Sequence, residues 1–320
     1  MLRAARGRYH LPRPMKRGIR SHLFQVLLLG VLPVGLFAGA LLYLNWRSLE
    51  HERRAIQMET TRVLATAVDN AVDSTIQRAA ILARQWATRP ADVQQVYDQA
   101  TAALAASPDW ETIIAFNAQG ELLFRTDLPF GERPRGALMR PYSLEALRRD
   151  QPVVSEVFSS TVRKRPSVGV AVPVSRDGKV THVLIVALKL EWFDELLRSQ
   201  GLPSGGIGGI FDRNFKFVAR SHDGDTRRGT DPASALHAVM LAQREGLGRY
   251  PSLDRTSVYT SWTRNKHGWT VGFATPAEPI DGALLRYLAI LAALLAATVA
   301  AGLAFALLKG RRIASSLEAL

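Results

Sequence analysis

The side chains best suited to catalysis or metal binding occur without the spacing that either function requires. No two of the seven histidines stand four residues apart with a glutamate between them, which is the pattern of a zinc-hydrolase helix. The chain has no cysteine, which excludes thiol catalysis, cysteine-ligated metals and disulfides. Neither a nucleophile-elbow serine nor a phosphate-binding P-loop is present. The sequence therefore predicts no catalytic centre, no metal and no cofactor.

Two short segments offer weaker alternatives. His222, Asp223 and Asp225 could hold a cation, although such residues after a strand are more typical of a solvated loop. Residues 204–209 are rich in glycine, but they precede a strand, whereas a phosphate-binding loop opens a helix. We interpret them as a linker between two modules. An enzyme with a site of another pattern remains an alternative.

Short apolar runs and period-two alternation predict strands in the middle of the chain. Residues 112–126 (TIIAFNAQGELLFRT) form a predicted hairpin with its turn at Gly120, and residues 167–190 form another that turns at Gly178. The other predicted elements are helices over 93–106, 143–149 and 191–201 and a strand over 152–158.

This pattern occurs twice. A shift of 95 residues places 113–126 on 208–221 without a gap, so that Arg125 falls on Arg220. The hairpin over 167–190 aligns in the same order with the segment that begins at Ser257, at an offset of 90. The sequence therefore predicts an α+β fold with two related antiparallel-sheet modules.

Two uncharged apolar blocks flank the predicted modules. They are Leu23–Leu44 and Tyr287–Leu308, and each is long enough to cross the hydrocarbon core of a membrane as a helix. The first block is too long for the apolar region of a signal peptide, and no small-residue cleavage site follows it. We therefore predict two transmembrane helices.

The net charge of +13 is concentrated beside these blocks. Residues 1–22 carry seven basic and no acidic residues, and residues 309–320 carry three basic residues and one acidic residue. Positive charge next to spans predicts that both termini are cytoplasmic. A basic tail for nucleic acid is the alternative for residues 1–20, and the distribution of charge favours membrane topology over that partner.

Residues 46–89 contain neither glycine nor proline and predict one long helix. Leu49, Ile56 and Val63 recur seven residues apart, which suits packing against a second subunit. Further apolar residues up to Trp86 would pack on the chain's own modules. The sequence thus predicts a homodimer formed near the membrane.

The order of these segments resembles the double-Cache sensor region of bacterial transmembrane receptors, over about residues 46–282. The residues that carry the resemblance are FNAQGELLFRT, QPVVSEVFSS and SVGVAVPVSRDGKVTHVLIVAL in the first module, and GIFDRNFKFVARS and NKHGWTVGFATP in the second. The resemblance implies a PAS-like fold for both modules on a long N-terminal helix. The predicted segments are a cytoplasmic tail (1–22), a transmembrane helix (23–45), a periplasmic helix (46–89), a membrane-distal module (90–200), a membrane-proximal module (201–282), a second transmembrane helix (284–308) and a cytoplasmic helix (309–320).

The last segment resembles the start of a HAMP linker. Ile313, Leu317 and Leu320 lie on one face of a predicted helix, although Ser316 stands near the place where such linkers often have proline. The resemblance implies a cytoplasmic output, a histidine kinase or a cyclic-dinucleotide enzyme, that these residues do not include.

In double-Cache receptors the membrane-distal module usually holds the ligand. The resemblance therefore implies a ligand face whose polar groups are Arg125, Tyr142, Ser155 and Ser167, with walls from Phe116 and Phe158. A buried arginine would select a carboxylate, so an anionic solute is one expectation. The alternative for Arg125 is an architectural salt bridge, because Arg220 repeats it.

The resulting hypothesis is an inner-membrane receptor that binds a small periplasmic solute and passes the signal across the membrane. Two alternatives stay open: a membrane-anchored interaction or assembly protein without a small ligand, and a periplasmic enzyme with an unrecognised site. A pocket too small for a ligand in both modules would favour the first. Perturbed acids or histidines that converge in a cleft would favour the second.

The predicted topology can be tested with reporter fusions. A reporter that is active only in the periplasm should be active when fused after Ala277 and silent when fused after Leu320, because one span separates the two positions. The opposite pattern, or activity at both positions, would contradict the two-pass topology.

Overall fold

A computed structural model describes residues 18–88, 92–134, 138–160 and 164–317. Most of the predicted basic tail and the end of the predicted cytoplasmic helix, including Leu320, lie outside these residues. The helices are α1 (Gly18–Thr88), α2 (Val93–Ala105), α3 (Pro141–Arg149), α4 (Leu190–Ser199), α5 (Gly224–Arg227), α6 (Ser234–Ala242) and α7 (Glu278–Leu317). The strands are β1 (Trp110–Asn117), β2 (Leu122–Arg125), β3 (Val153–Val154), β4 (Phe158–Ser159), β5 (Pro166–Arg176), β6 (Lys179–Leu188), β7 (Ile207–Phe211), β8 (Phe217–Arg220), β9 (Glu245–Pro251), β10 (Ser257–Arg264) and β11 (Thr270–Pro276).

Residues Arg53–Glu278 form one compact unit with two antiparallel sheets. The first module contains a six-stranded sheet in the order β2-β1-β6-β5-β3, with β4 paired to β5. The second module contains a five-stranded sheet in the order β8-β7-β11-β10-β9. The predicted α+β fold with two antiparallel sheets on a long N-terminal helix is confirmed.

Helix α1 contributes a stripe of apolar residues to the main hydrophobic core of this unit. Its buried apolar residues recur at helical spacing and belong to the same cluster as residues of both sheets. They include Leu64, Val68, Val72, Ala79 and Trp86, all of which are at most 5% exposed. Burial of each larger side chain contributes about 1.5–3 kcal/mol, so this stripe fixes both modules to one helix.

Polar contacts set the register between α1 and the second module. Gln57 Nε2 donates hydrogen bonds to the carbonyl oxygens of Tyr259 (2.7 Å) and Phe273 (3.3 Å). One turn later, the hydroxyls of Thr61 and Ser261 lie 2.6 Å apart. These groups are buried, so their hydrogen bonds also avoid the cost of unpaired polar atoms.

Both predicted hairpins are present, but the strand predicted over 152–158 is two short strands, β3 and β4. The backbone leaves β5 between them because Val157 N donates a hydrogen bond to Asp212 Oδ2 (2.8 Å) in the second module. Arg213 Nε donates to Glu156 Oε1 (2.7 Å) at the same place. The interruption therefore serves the contact between the modules.

The second module also departs from the sequence analysis in detail. The predicted linker over 204–209 ends at Gly206, because Gly208 and Gly209 lie inside β7. Strand β9 and helix α6 were not predicted. Their sequences carry weak periodicity, and the sheet and the core decide their conformation instead.

The helical segments before Arg53 and after Glu278 form the other compact unit. Within the described residues, Glu278–Phe305 is long and apolar enough to span a membrane, and none of its most apolar stretch is buried. In the N-terminal part of α1, Leu29, Val34 and Phe37 are exposed apolar residues. The two-pass topology stays a prediction.

His182 on β6 provides a test of the packing between α1 and the first sheet. Its ring stacks on Trp86, with centroids 4.3 Å apart. Burial, followed by the charge of Arg176, lowers the pKa of His182 below its usual value near 6.5. A histidine with a lowered pKa binds its proton more readily in the unfolded chain, so it stabilises the fold less as the pH falls below about 6.5.

We therefore expect the melting temperature of the full chain to fall between pH 7.5 and pH 5, and to fall less in His182→Gln. His222→Gln is the control for the loss of an exposed histidine. Identical pH profiles for wild type and His182→Gln would show that this contact does not contribute.

Candidate functional site

Each sheet turns one face to α1 and presents the other face to shorter helices. In the first module this outer face is covered by α3 and filled by side chains of its own sheet. The buried residues of the cluster are Phe116, Leu122, Tyr142, Ala146, Val153, Ala171, Val183 and Ile185.

The three aromatic residues that were predicted for the ligand face lie together in this cluster. Phe116 and Tyr142 are buried, and Phe158 packs on them from its partly exposed position. The rings of Tyr142 and Phe158 are stacked with centroids 5.8 Å apart, and the guanidinium of Arg140 lies 4.1 Å from the Phe158 centroid. Burial raises the pKa of Tyr142 to about 12, so its hydroxyl remains a neutral hydrogen-bonding group.

The two predicted serines lie at the edge of the same sheet. Ser155 Oγ accepts a hydrogen bond from Gly169 N (2.9 Å) and donates one to the carbonyl of Glu156 (2.7 Å). Ser167 is buried and pairs with Phe158 between β4 and β5. Ser155 therefore holds the chain where β3 ends.

Arg125 is bound by a carboxylate of its own module. Its Nε and Nη2 donate hydrogen bonds of 2.9 and 3.0 Å to the two oxygens of Asp127, and both side chains are buried. Burial alone would raise the pKa of Asp127, but the hydrogen bonds and charge of Arg125 hold that pKa below its usual range. Asp127 therefore binds the Arg125 guanidinium, which agrees with the alternative that Arg125 forms a structural salt bridge.

The outer face of the second sheet is built differently. One row of paired residues crosses all five strands, in the order Arg220, Gly209, Gly272, Trp262 and Gly246. Residues in such a row point to the same face of the sheet. Between the arginine and the tryptophan, the row therefore has no side chains.

The equivalent row of the first sheet explains the difference. It runs Arg125, Ile114, Ile185, Ala171 and Val153. Gly209 stands 95 residues after Ile114, at the offset that also relates the two arginines. The two isoleucines that fill the first face are thus replaced by two glycines in the second.

A pocket occupies the resulting gap, and we refer to it as the second-module pocket. It spans about 610 Å³, a volume that includes the part open to solvent. Sheet residues form the floor, while α6 and the loops around it form the roof. The lining residues are Ile207, Gly209, Phe211, Phe217, Arg220, Pro232, Ala233, Leu236, Met240, Pro251, Ser252, Leu253, Val258, Thr260, Gly272 and Ala274.

Arg220 is the only charged side chain that lines this pocket within the described residues. It is 6% exposed, and its Nη1 has no hydrogen-bond partner in the described part of the chain. The position equivalent to Asp127 is His222, whose side chain is 71% exposed and contacts Asp223. Burial lowers the pKa of Arg220, but an arginine remains charged at neutral pH.

The structure therefore brings the predicted aromatic residues together, pairs Arg125 internally and reveals a second pocket that the sequence analysis did not identify. The signal was available in the repeat. At one offset, an isoleucine becomes Gly209 and an aspartate becomes His222, which removes both the filling of the face and the partner of the arginine. In the described residues, no three acidic or histidine side chains converge as a metal site.

The two arginines predict opposite effects on stability. Arg125→Met should destabilise the full chain by about 3–5 kcal/mol, because the buried Asp127 carboxylate loses the opposite charge and two hydrogen bonds of Arg125. Arg220→Met should change stability by less than about 1 kcal/mol or increase it, because an apolar chain replaces an unpaired buried charge. Chemical denaturation at pH 7 measures both effects, and an equal loss in the two variants would contradict the assigned roles.

Solved structures of chemoreceptor and histidine-kinase domains share this fold. The sensory domain of the Campylobacter jejuni chemoreceptor Tlp3 has a TM-score of 0.60 and 18% sequence identity, over 74% of this chain and 98% of that chain. The ligand-binding domain of the Pseudomonas fluorescens chemoreceptor CtaA, in complex with L-serine, has a TM-score of 0.58 and 14% identity, over 72% and 99%. The extracellular domain assigned to the histidine kinase rpHK1S-Z16 has a TM-score of 0.58 and 15% identity, over 71% and 95%.

Neither a protein-family model nor a curated protein gives a significant match to this sequence. The similarity is therefore one of structure, and it extends over nearly the whole length of each sensory domain. With its two antiparallel sheets on one long helix, this chain has the fold of the Cache-type extracellular sensory domains of bacterial chemoreceptors and histidine kinases.

Proposed function

We propose that this chain is the sensory part of a two-pass membrane receptor that binds a small solute in the periplasm. The observation that carries the proposal is the shared core, in which both sheets pack on α1. A ligand that changes the packing of either sheet acts directly on this helix. Signal would then pass to a cytoplasmic histidine kinase or cyclic-dinucleotide enzyme.

Two junctions support this route. Helix α1 is continuous from Gly18 to Thr88, so the predicted first span and the core of the sensory unit belong to one helix. Strand β11 ends at Pro276, and α7 begins at Glu278, so the sheet leads directly into the second predicted span. A ligand would shift these elements only as far as its affinity differs between two states.

The exposed residues of α1 support a homodimer. Leu49, Ile56 and Val63 are 43%, 56% and 51% exposed, and their spacing of seven residues places them on one side of the helix. A second copy of α1 would cover them. In such a dimer, ligand binding would move the α1 helix of one subunit relative to the α1 helix of the other.

We place the solute of the first module beside the partly exposed Phe158, at the edge of the face that contains Phe116 and Tyr142 and close to Ser155 and Ser167. The aromatic pair and Arg140 offer stacking surface. Relatives in fold were solved with L-serine, L-valine and GABA, which supports a solute of that size. Because Asp127 already binds the Arg125 guanidinium, a solute carboxylate would need another partner on this face.

A metabolite library tests the function. At 100 times its dissociation constant, a ligand stabilises a protein by about 2.7 kcal/mol, or about 5–10 °C for a domain of this size. We expect at least one small solute to raise the melting temperature of the full chain in detergent by several degrees. Phe158→Ala should abolish the shift for a ligand of the first module, while Arg220→Met should keep it.

The absence of any shift across amino acids, organic acids, amines and sugars would contradict solute sensing. A shift that survives Phe158→Ala and disappears in Arg220→Met would place the ligand in the second module instead.

A further inference from the structure

We propose that the second-module pocket is a binding site for a monocarboxylate with an apolar body. The carboxylate would bind the Arg220 guanidinium, and the body would lie over Gly209 and Gly272 beneath α6. This site is separate from the proposed face of the first module, and the inference does not depend on signalling.

The space for the apolar body comes from missing side chains. Gly209 and Gly272 pair directly across β7 and β11, and neither adopts a backbone conformation that requires glycine. A Cβ added at Gly209 would lie 3.5 Å from the rings of Phe211 and Phe217, which is ordinary van der Waals contact. A Cβ added at Gly272 would likewise lie 3.4 Å from the ring of Phe211. The sheet would therefore accept alanine at either position, so neither the backbone conformation nor a close contact requires glycine here.

The charge of the pocket is also not required by the fold. A buried charge without a partner is costly, and the first module avoids that cost by pairing Arg125 with Asp127. The second module keeps the arginine and lacks the carboxylate at the equivalent position. A ligand carboxylate would restore the pair that the first module makes internally, with the bidentate geometry that suits guanidinium.

Nearby charges do not supply this partner. Asp254 and Asp223 lie within electrostatic range of Arg220, as does Arg227. Asp254 lies 3.6 Å from Arg227 and is 63% exposed, and Asp223 lies 3.3 Å from His222 and is 53% exposed. These carboxylates are largely solvated, whereas Arg220 Nη1 is buried at the pocket.

The lining determines the class of ligand. Apart from Arg220, its side chains are apolar or carry single hydroxyls, those of Ser252 and Thr260. One guanidinium neutralises one negative charge, so a phosphate or a dicarboxylate would leave a second charge without a partner in apolar surroundings. Pro232, Leu236 and Met240 of the roof suit an aliphatic body. These features select a singly charged acid with an apolar chain.

Sodium hexanoate is a suitable probe. Its binding to the full chain in nanodiscs is measured by titration calorimetry, together with methyl hexanoate, hexylamine and inorganic phosphate as probes that lack one of the required features. We expect hexanoate to bind at millimolar concentration or below. Methyl hexanoate and hexylamine should bind at least tenfold more weakly, because they cannot accept two charge-assisted hydrogen bonds.

Variants locate the site. Arg220→Met should weaken hexanoate binding at least tenfold, and Gly209→Val should do so by filling the floor while the arginine is kept. Arg244→Met is the matched control, because Arg244 is exposed on the same module and does not line the pocket. It should bind hexanoate as the wild type does.

The proposal is overturned if hexanoate does not bind, if it binds Arg220→Met and wild type equally, or if phosphate binds more tightly than hexanoate. Should Arg220→Met fail to fold, the comparison of hexanoate with its methyl ester in the wild type still decides the point. A negative result here leaves solute binding on the first module untouched, because Phe158→Ala reports on that face.

Discussion

The packing of both sheets on α1 is the interaction on which the rest of the structure depends. The stripe from Leu64 to Trp86 is buried in one cluster with residues of the first and second sheets. Gln57 and Thr61 add hydrogen bonds that fix the second sheet on the same helix. Because one face of each sheet is buried against α1, only the side chains of the outer face can change without loss of the fold.

The outer faces differ by a few substitutions at equivalent positions. Isoleucines fill the first face and Asp127 neutralises Arg125, whereas glycines and His222 leave the second face open and Arg220 unpaired. The filled face and the paired arginine stabilise the first module. The second module keeps a buried arginine without a carboxylate, which lowers its stability. Such a departure from the stable solution is typical of a binding site, since function often requires groups that the fold alone would not keep.

The sequence predicted those parts of the fold that rest on periodicity and repetition. The helix α1, the hairpins β1–β2 and β5–β6 and the repeat at an offset of 95 all follow from local patterns. It could not predict β9 or α6, whose conformation depends on packing, or the break between β3 and β4, which depends on Asp212 of the other module. The replacement of Asp127 by His222 could be read from the repeat, but only the structure shows that Asp127 is the residue that binds Arg125.

A crystal structure of the full chain with bound hexanoate tests the central claim most directly. The account predicts a carboxylate within hydrogen-bonding distance of Arg220 Nη1, with the alkyl chain over Gly209 and Gly272 and beneath Met240. Arg220 paired to Asp254 or Asp223, with hexanoate absent from the second-module pocket, would contradict it.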